Sequence, residues 1–227
     1  MRKILVVDVG GTHVKLMLSR NETRKFDSGP SLTPKRFVAA LKKDVDGWVY
    51  DAISIGFPAP VSKGEIVKEP YHLAKGWIGY DFAKPLGKPV RVINDAAMQA
   101  LGSYRRDRTL FLGLGTGLGS ALIWGSNLLP LELGHLPYDG AVIEDVLGNE
   151  GLRRLGQKAW RRKVLVCLNQ LKIAMIAERV VVGGGNARLF KSLPKGFERG
   201  DNRLAYCGGV RLWENNSKTR RPKWTVM

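Results

Sequence analysis

The 227-residue chain is short of cysteine, of acid and of histidine: it has two Cys, 20 Asp and Glu together, and three His. Cys167 and Cys207 lie far apart and outside any metal-ligand spacing. They therefore offer neither a disulfide framework nor a zinc site, and read as thiols of a reducing compartment. No apolar run reaches membrane-spanning length. In the opening "MRKILVVDVGG", Asp8 cuts the apolar stretch short, which argues against a secretory leader. A cytoplasmic protein with no membrane partner is expected. The loop pattern GxxxxGK[ST] is missing, and so is a strand–GxGxxG–helix unit with its ribose carboxylate. "FLGLGTGLGSALI" follows a strand but returns as a strand, so a dinucleotide reading fails. RNP, KH, finger and basic-zipper patterns are missing as well, which leaves nucleic acid supported by charge alone.

What is present begins with that charge. Lys and Arg number 37, giving a formal net charge of +17. Such an excess favours a polyanionic partner without saying anything about fold. A hydrophobic fraction of 44% over this length supports a sizeable core, in one large domain or two small ones. Lys3 to Val9 and His13 to Ser19 read as a hairpin closed by Gly10 and Gly11, with Thr23 to Asp27 as a third strand. Thr33 before Pro34 is an N-cap signal for a helix. Ala52 to Gly56 and Val90 to Ile93 read as strands, and a helix follows from about Asn94. From Thr109 the pattern restarts. Thr109 to Leu114, Ser120 to Trp124 and Leu128 to Leu131 read as strands, and Glu150 to about Met175 as one long helix. Arg179 to Val182 is a further strand, and "GGGNARLFKSL" a glycine turn into a helix. The order hairpin, strand, helix, strand thus occurs twice. It implies an α/β protein of two related lobes, residues 1–90 and 91–214, followed by a basic, mobile tail at 215–227.

Four local signals share one chemical theme. "DVGGTHVK" places Asp8 at a strand end before a tight turn of Gly10, Gly11 and Thr12. Exposed N–H groups and a hydroxyl there suit phosphate oxygens, and Asp8 suits a magnesium ion held through water. Gly115, Thr116 and Gly117 repeat that turn, and a Cβ at Gly115 or Gly117 is expected to obstruct the phosphate and spare any acceptor. Gly183 to Asn186 sits at a strand-to-helix junction, where anions are favoured. "VINDAA" delivers Asn94 and Asp95 at the end of a strand. Each signal alone has a plainer reading: hairpin turns, an ordinary loop, and Asp95 as a helix N-cap.

In this order they resemble the sugar kinases of the actin–hexokinase superfamily, more closely the ROK family, and most closely its polyphosphate glucokinase branch. The resemblance runs over roughly residues 3 to 214. "DVGGTHVK" and "LGLGTGLGSALI" look like its two phosphate motifs, "VINDAAMQALGSY" its catalytic-base segment, "LPLELGHLPY" its sugar segment and "VVVGGGNARLF" its donor segment. It implies two actin-like (ribonuclease H-like) lobes with mixed sheets and a cleft between them. It also implies a kinase for the 6-hydroxyl of glucose or a related hexose, with polyphosphate or ATP as donor and Mg2+ as cofactor, assembled as a homodimer. Asp95 would be the general base, and Asn94, Glu132, His135 and Glu144 would hold sugar hydroxyls. Asp8, Gly10, Gly11, Thr12, Lys15, Gly115, Thr116, Gly117, Gly184, Gly185 and Asn186 would hold the donor.

The chain departs from the family in two places. "GHLPYDGAVIEDVLG" has no cysteine where most members carry a zinc cluster, so no structural zinc is expected. "PYHLAKGW" puts His72 where the sugar loop carries asparagine, leaving His72 as a substrate ligand or an exposed loop residue. Glu144 also reads as a helix cap, and His13 stands within reach of the donor turn. In "GLRRLGQKAWRRK", Arg154, Lys158, Arg161 and Arg162 fall near one face at helical spacing. They form either a polyphosphate track or a solvated face. A non-catalytic sugar-sensing protein of the same family is the alternative function.

Overall fold

Period-two alternation in the first strand decides where the chemistry sits. In β1 (Ile4–Val9), Leu5, Val7 and Val9 pack on one side with Phe37, Val38 and Leu41 of helix α1 (Pro34–Asp44). Ile4 and Val6 face the other way, into a core shared with the second half of the chain. Asp8 falls on that second face, at the strand's C-terminal end. The computed structural model describes residues 2–201, 203–217, 219 and 221–227.

β1 is followed by β2 (His13–Met17), β3 (Thr23–Asp27), α1, β4 (Ala52–Phe57), a small hairpin β5 (Val61–Ser62) and β6 (Glu65–Ile66), α2 (Ala83–Leu86), β7 (Val90–Asn94) and α3 (Asp95–Ser103). The second half has β8 (Thr109–Leu114), β9 (Leu118–Trp124), β10 (Asn127–Leu131), the hairpin β11 (Pro137–Tyr138) and β12 (Ala141–Val142), and α4 (Ile143–Leu147). α5 (Asn149–Ala174), β13 (Arg179–Gly183), β14 (Phe197–Arg199), α6 (Leu204–Arg211) and β15 (Thr225–Val226) complete it. The first sheet has the order β3-β2-β1-β4-β7 and the second β14-β13-β8-β9-β10-β15. Apart from β15, the two orders are one motif used twice. An antiparallel three-strand meander comes first, and then two parallel strands are added beside its first strand. α3 and α6 lie between the sheets, in the core formed by Val6, Ile93, Met98, Phe111, Ile123 and Val181 among others.

Four expectations need correction. β7 pairs with β4, so the change from first to second sheet comes after Asn94 rather than at residue 90. α5 is interrupted at Gly156, whose φ of 70° and ψ of 158° are not helical. Glycine adopts this conformation without strain, and α5 is kinked there into two helical pieces. The helix expected after "GGGN" is only a 3-10 segment, Gly185–Leu189. The tail is tied down rather than loose. β15 pairs in parallel with β10, and Trp224 is buried against Tyr104, though Lys218 and Arg220 of this segment lie outside the described residues. The Thr33 cap stands as expected, its hydroxyl accepting from Arg36 N at 3.3 Å. Among the described residues, no helix is long and apolar enough to cross a membrane.

α3 and α6 cross with their backbones in contact. A Cβ on Gly208 would run into the Met98 carbonyl, and one on Gly102 into the Leu204 carbonyl. Arg211 completes the joint by donating from Nη1 to Leu101 O and Tyr104 O, each at 2.7 Å, which satisfies carbonyls at the end of α3. Gly208→Ala is therefore expected to lower the unfolding free energy by about 2–3 kcal/mol. Urea denaturation reads this as a lower midpoint. An unchanged midpoint would mean that the helices separate freely.

Candidate active site

Three carboxylates from distant segments converge between the sheets. Asp8 comes from the end of β1, Asp95 from the first turn of α3, and Glu132 from the residue after β10. Burial pushes the Asp95 carboxyl up to about 7. Repulsion from Asp8 and Glu132 adds to the rise, and the Ala96 N–H, donating to Oδ1 at 2.8 Å, opposes it. Asp8 is likewise raised by burial, with Lys15 opposite it on β2 working the other way. Glu132 is raised by burial too. The nearby His135 favours its charged form, Glu144 disfavours it, and Lys68 favours it again.

The local sequence explains why Asp95 points where it does. Asn94, not Asp95, is the N-cap: its Oδ1 accepts from Ala97 N at 3.1 Å. Its Nδ2 donates to Ala59 O at 3.4 Å, so one amide N–H is left for a ligand. The Asp95 carboxylate is also met by its own backbone N–H. The first turn of α3 lies directly on β9, where a Cβ on Gly119 would come within 2.9 Å of the Ala96 methyl. That approach brings the second glycine turn close to Asp95.

Glu144 and His135 stand on the second-sheet side, with His135 Nε2 3.5 Å from Glu144 Oε1. Glu144 has no capping hydrogen bond to its helix, and it packs over Gly117. A Cβ on Gly117 would meet Glu144 Oε2 at 2.6 Å, whereas nothing lies within 4 Å of a Cβ on Gly115. The two glycines are therefore not equivalent. Only a substitution at Gly115 leaves the carboxylate cluster alone.

The donor residues expected from sequence form two groups. In the first turn, Gly10 N donates to His13 O at 3.0 Å, and Gly11 and Thr12 are exposed. His13 does not face this turn's open side but pairs with Asp27 across the strands at 3.7 Å. In the second, Thr116 O accepts from Asn149 N at 3.2 Å. Asn186 Nδ2 donates to Asn149 Oδ1 at 2.8 Å and reaches Gly115 O at 3.5 Å. Gly184 lies against the Leu114 backbone, which brings Gly185 and Asn186 beside the turn. Asn149 was not foreseen, because a residue opening a helix looks like any other polar one. Lys68 was missed for a similar reason: nothing in its neighbours signals Glu132.

His72 sits on the first turn. A Cβ on Gly11 would lie 3.5 Å from His72 Cβ and 3.7 Å from Cδ2, so the loop carrying His72 rests on the first turn at a glycine. The basic stripe does not hold together as drawn. Gly156 separates Arg154 from Lys158, and Arg161 turns inward to donate to Leu189 O at 3.2 Å. Lys158 and Arg162 stay exposed and one helical turn apart. Among the described residues, no three His, Cys, Asp or Glu are grouped as a direct metal centre. Asp8 and Asp95 are an oxygen-only pair suited to a hard cation kept in its water shell.

A profile of the ROK family matches residues 4–150. Polyphosphate glucokinase of Mycobacterium leprae (strain TN) is 25% identical over 205 residues, covering 80% of this chain. The chain spans 63% of that protein's length. Polyphosphate glucokinase of Mycobacterium tuberculosis (strain H37Rv) is 24% identical, with 80% of this chain and 77% of that protein covered. Among solved structures, the inorganic polyphosphate/ATP-glucomannokinase of Arthrobacter sp. strain KM superposes with a TM-score of 0.78 at 23% identity, covering 92% of this chain and 96% of that one. A ROK family glucokinase from Streptomyces griseus, in complex with glucose and AMPPNP, gives 0.70 at 18% identity, with 90% and 97% covered. The fold is accordingly the two-lobed, actin-like α/β fold expected from the sequence.

The raised Asp95 carboxyl has a consequence for stability. Between the ordinary aspartate range and about 7, the folded protein holds a proton that the unfolded chain has lost. Stability therefore falls as pH rises through that window. Asp95→Asn should be more stable than the wild type at pH 8, by about 1–4 kcal/mol, and the gap should shrink steadily as pH is lowered. Thermal or urea unfolding at a series of pH values measures it. A gap that does not change with pH would contradict the burial of an ionisable group.

Proposed function

The chain belongs to the ROK family, and from that premise we propose that it is a sugar kinase that phosphorylates the 6-hydroxyl of glucose or a related hexose. The observation that carries this reading is the Asp95 carboxyl, raised to about 7 and set between two glycine turns beside Asp8 and Glu132. A base acts best when its pKa lies near the working pH, and a buried aspartate raised to about 7 meets that requirement.

Asn94, Glu132, His135 and Glu144 would hold ring hydroxyls and bring the attacking oxygen to Asp95. Their carboxylate, imidazole and amide groups are left unpaired by an analogue lacking a hydroxyl, and this is the basis of discrimination. His72 is the residue whose presence bears on which hexose fits. The sugar oxygen bonds to the terminal phosphorus of the donor as the bridging P–O bond breaks. The hydroxyl proton passes to the Asp95 carboxylate, whose Oδ1 is held by the Ala96 N–H. The exposed backbone of Gly11 and Thr12 and the tip of the Gly115–Gly117 turn at Thr116, with Lys15, Gly184, Gly185 and Asn186, would cradle the phosphates, the Gly115 N–H being held within its turn by Gly117 O at 3.1 Å. Magnesium, held through water by Asp8, would neutralise phosphate charge.

For the donor we favour polyphosphate, with ATP as a second substrate. Support comes from the polyphosphate glucokinase relatives and from the net charge of +17, which a single nucleotide pocket does not call for. Lys158 and Arg162 are the exposed pair left to extend the track, with Arg154 beyond the Gly156 break. The family resemblance also supports a cytoplasmic homodimer.

A coupled assay with glucose and each donor, at low and high salt, tests the proposal. Turnover is expected with polyphosphate, and its apparent constant should climb steeply with salt while that for ATP climbs mildly, because a polymer displaces many counterions. Lys158→Glu with Arg162→Glu should flatten the polyphosphate slope. Equal slopes would make the pair a solvated face and ATP the donor. Asp95→Asn should lower turnover about 100-fold or more while sugar binding persists. Wild-type kcat/KM should fall as pH drops through about 7, where Asp95 takes up its proton. Sugar binding with no turnover on either donor would contradict the kinase and favour a sugar sensor.

A further inference from the structure

The loop that carries His72 is tied off at its base by a residue with no role so far. Glu69 folds back over the loop end: Oε1 accepts from Gly76 N at 2.9 Å and Oε2 from Trp77 N at 3.2 Å. Two consecutive N–H groups converge on one carboxylate because Gly76 has φ +102°, where a side chain would be strained. Adjacent N–H groups turned to one side make a concave anion seat. The loop's far end is anchored beyond this point. Trp77 is fully buried, with Phe57 and Phe37 ring centroids at 4.9 and 5.7 Å.

What the loop presents lies on both sides of the candidate site. Lys68, next to Glu69, is close enough to Glu132 to favour its ionised form. His72, three residues on, rests against Gly11 of the first phosphate turn. Leu73 is buried between them and the anchor, while Tyr71 is exposed and stands edge-on to the His72 ring. One carboxylate therefore fixes the two ends of a segment that rests on the Gly11 turn and leads on from Lys68, the cation near Glu132.

We propose that Glu69 is a positioning residue of the sugar site, holding residues 70–76 on the path that sets His72 against Gly11 and Lys68 beside Glu132. This rests on the sugar-kinase reading. A carboxylate is needed because two donors ask for two oxygens at once, and charge-assisted bonds hold them more firmly. Glutamine offers one oxygen and turns its NH2 against the second N–H. Graded loss from Glu to Gln to Ala follows.

The test uses the full chain, with Glu69→Gln and Glu69→Ala compared in steady-state kinetics and in amide exchange at Gly76 and Trp77. Glu69→Ala should raise the glucose KM about 10-fold, with Glu69→Gln between it and the wild type. kcat should stay within about two-fold, and the donor KM should move less than the glucose KM, since the loop meets the donor turn only through His72. Both amides should exchange faster in the variants. An unchanged glucose KM in Glu69→Ala overturns the proposal. So does a joint change of kcat and both KM values with a lowered melting temperature, which is damage to the scaffold. If the wild type phosphorylates no hexose, the kinase reading fails by itself and exchange decides the clamp. Equal exchange at the two amides in wild type and Glu69→Ala then overturns it, and faster exchange in the variant sustains it.

Discussion

The desolvation of Asp95 beside a second carboxylate, Asp8, is the constraint on which the other features depend. Left alone, such a pair favours the neutral acid, and burial together with Asp8 raises Asp95 to about 7. Holding it there requires a rigid support. β1 and β7 deliver the two acids at the same end of one sheet, and Asn94 caps α3 so that Asp95 need not. The strain is offset by three apolar cores, one outside each sheet and one between them. A buried carboxyl perturbed by desolvation and by a neighbouring charge is what the proposed general base requires.

The duplicated topology supplies the second requirement, a glycine turn on each side of the acid, and these are the turns proposed to take phosphate. Each sheet turns its first two strands through glycines, between β1 and β2 and between β8 and β9. The turns are served differently. The first has Lys15 behind it and His72 on top. The second is braced by Asn149 and Asn186, which join the start of α5 and the 3-10 segment to one loop. Small residues set how close everything comes, from Gly119 against Ala96 to Gly117 beneath Glu144. The groups proposed for sugar and those proposed for donor are thus in mechanical contact, and a change at Gly117 is felt by Glu144.

Much of this was legible in the sequence, and the part that was not has a physical reason. Short apolar runs bounded by glycine announced β1, β2, β4 and β8, and Thr33-Pro34 announced α1, because those signals are local. The repeated order of elements announced two sheets of one topology. Gly156 inside a helical pattern carries no mark that distinguishes a tolerated glycine from a break, so the basic stripe was drawn straight through it. β15 and the burial of Trp224 depend on β10, nearly a hundred residues away in the chain, and a polar segment gives no hint of that partner. Lys68 and Glu69 are missed for the same reason. Their roles lie in what they face, which neither spacing nor residue type reveals.

The most direct check is the titration of Asp95 itself, followed by carbon-13 NMR of its carboxyl in the wild type, with Asp95→Asn used to assign the signal. The account predicts a midpoint of about 7 in the absence of sugar, donor and metal. A midpoint in the ordinary aspartate range, about 4, would mean that the carboxyl is open to water and poorly suited to take the hydroxyl proton. The proposed base would then have to be sought elsewhere.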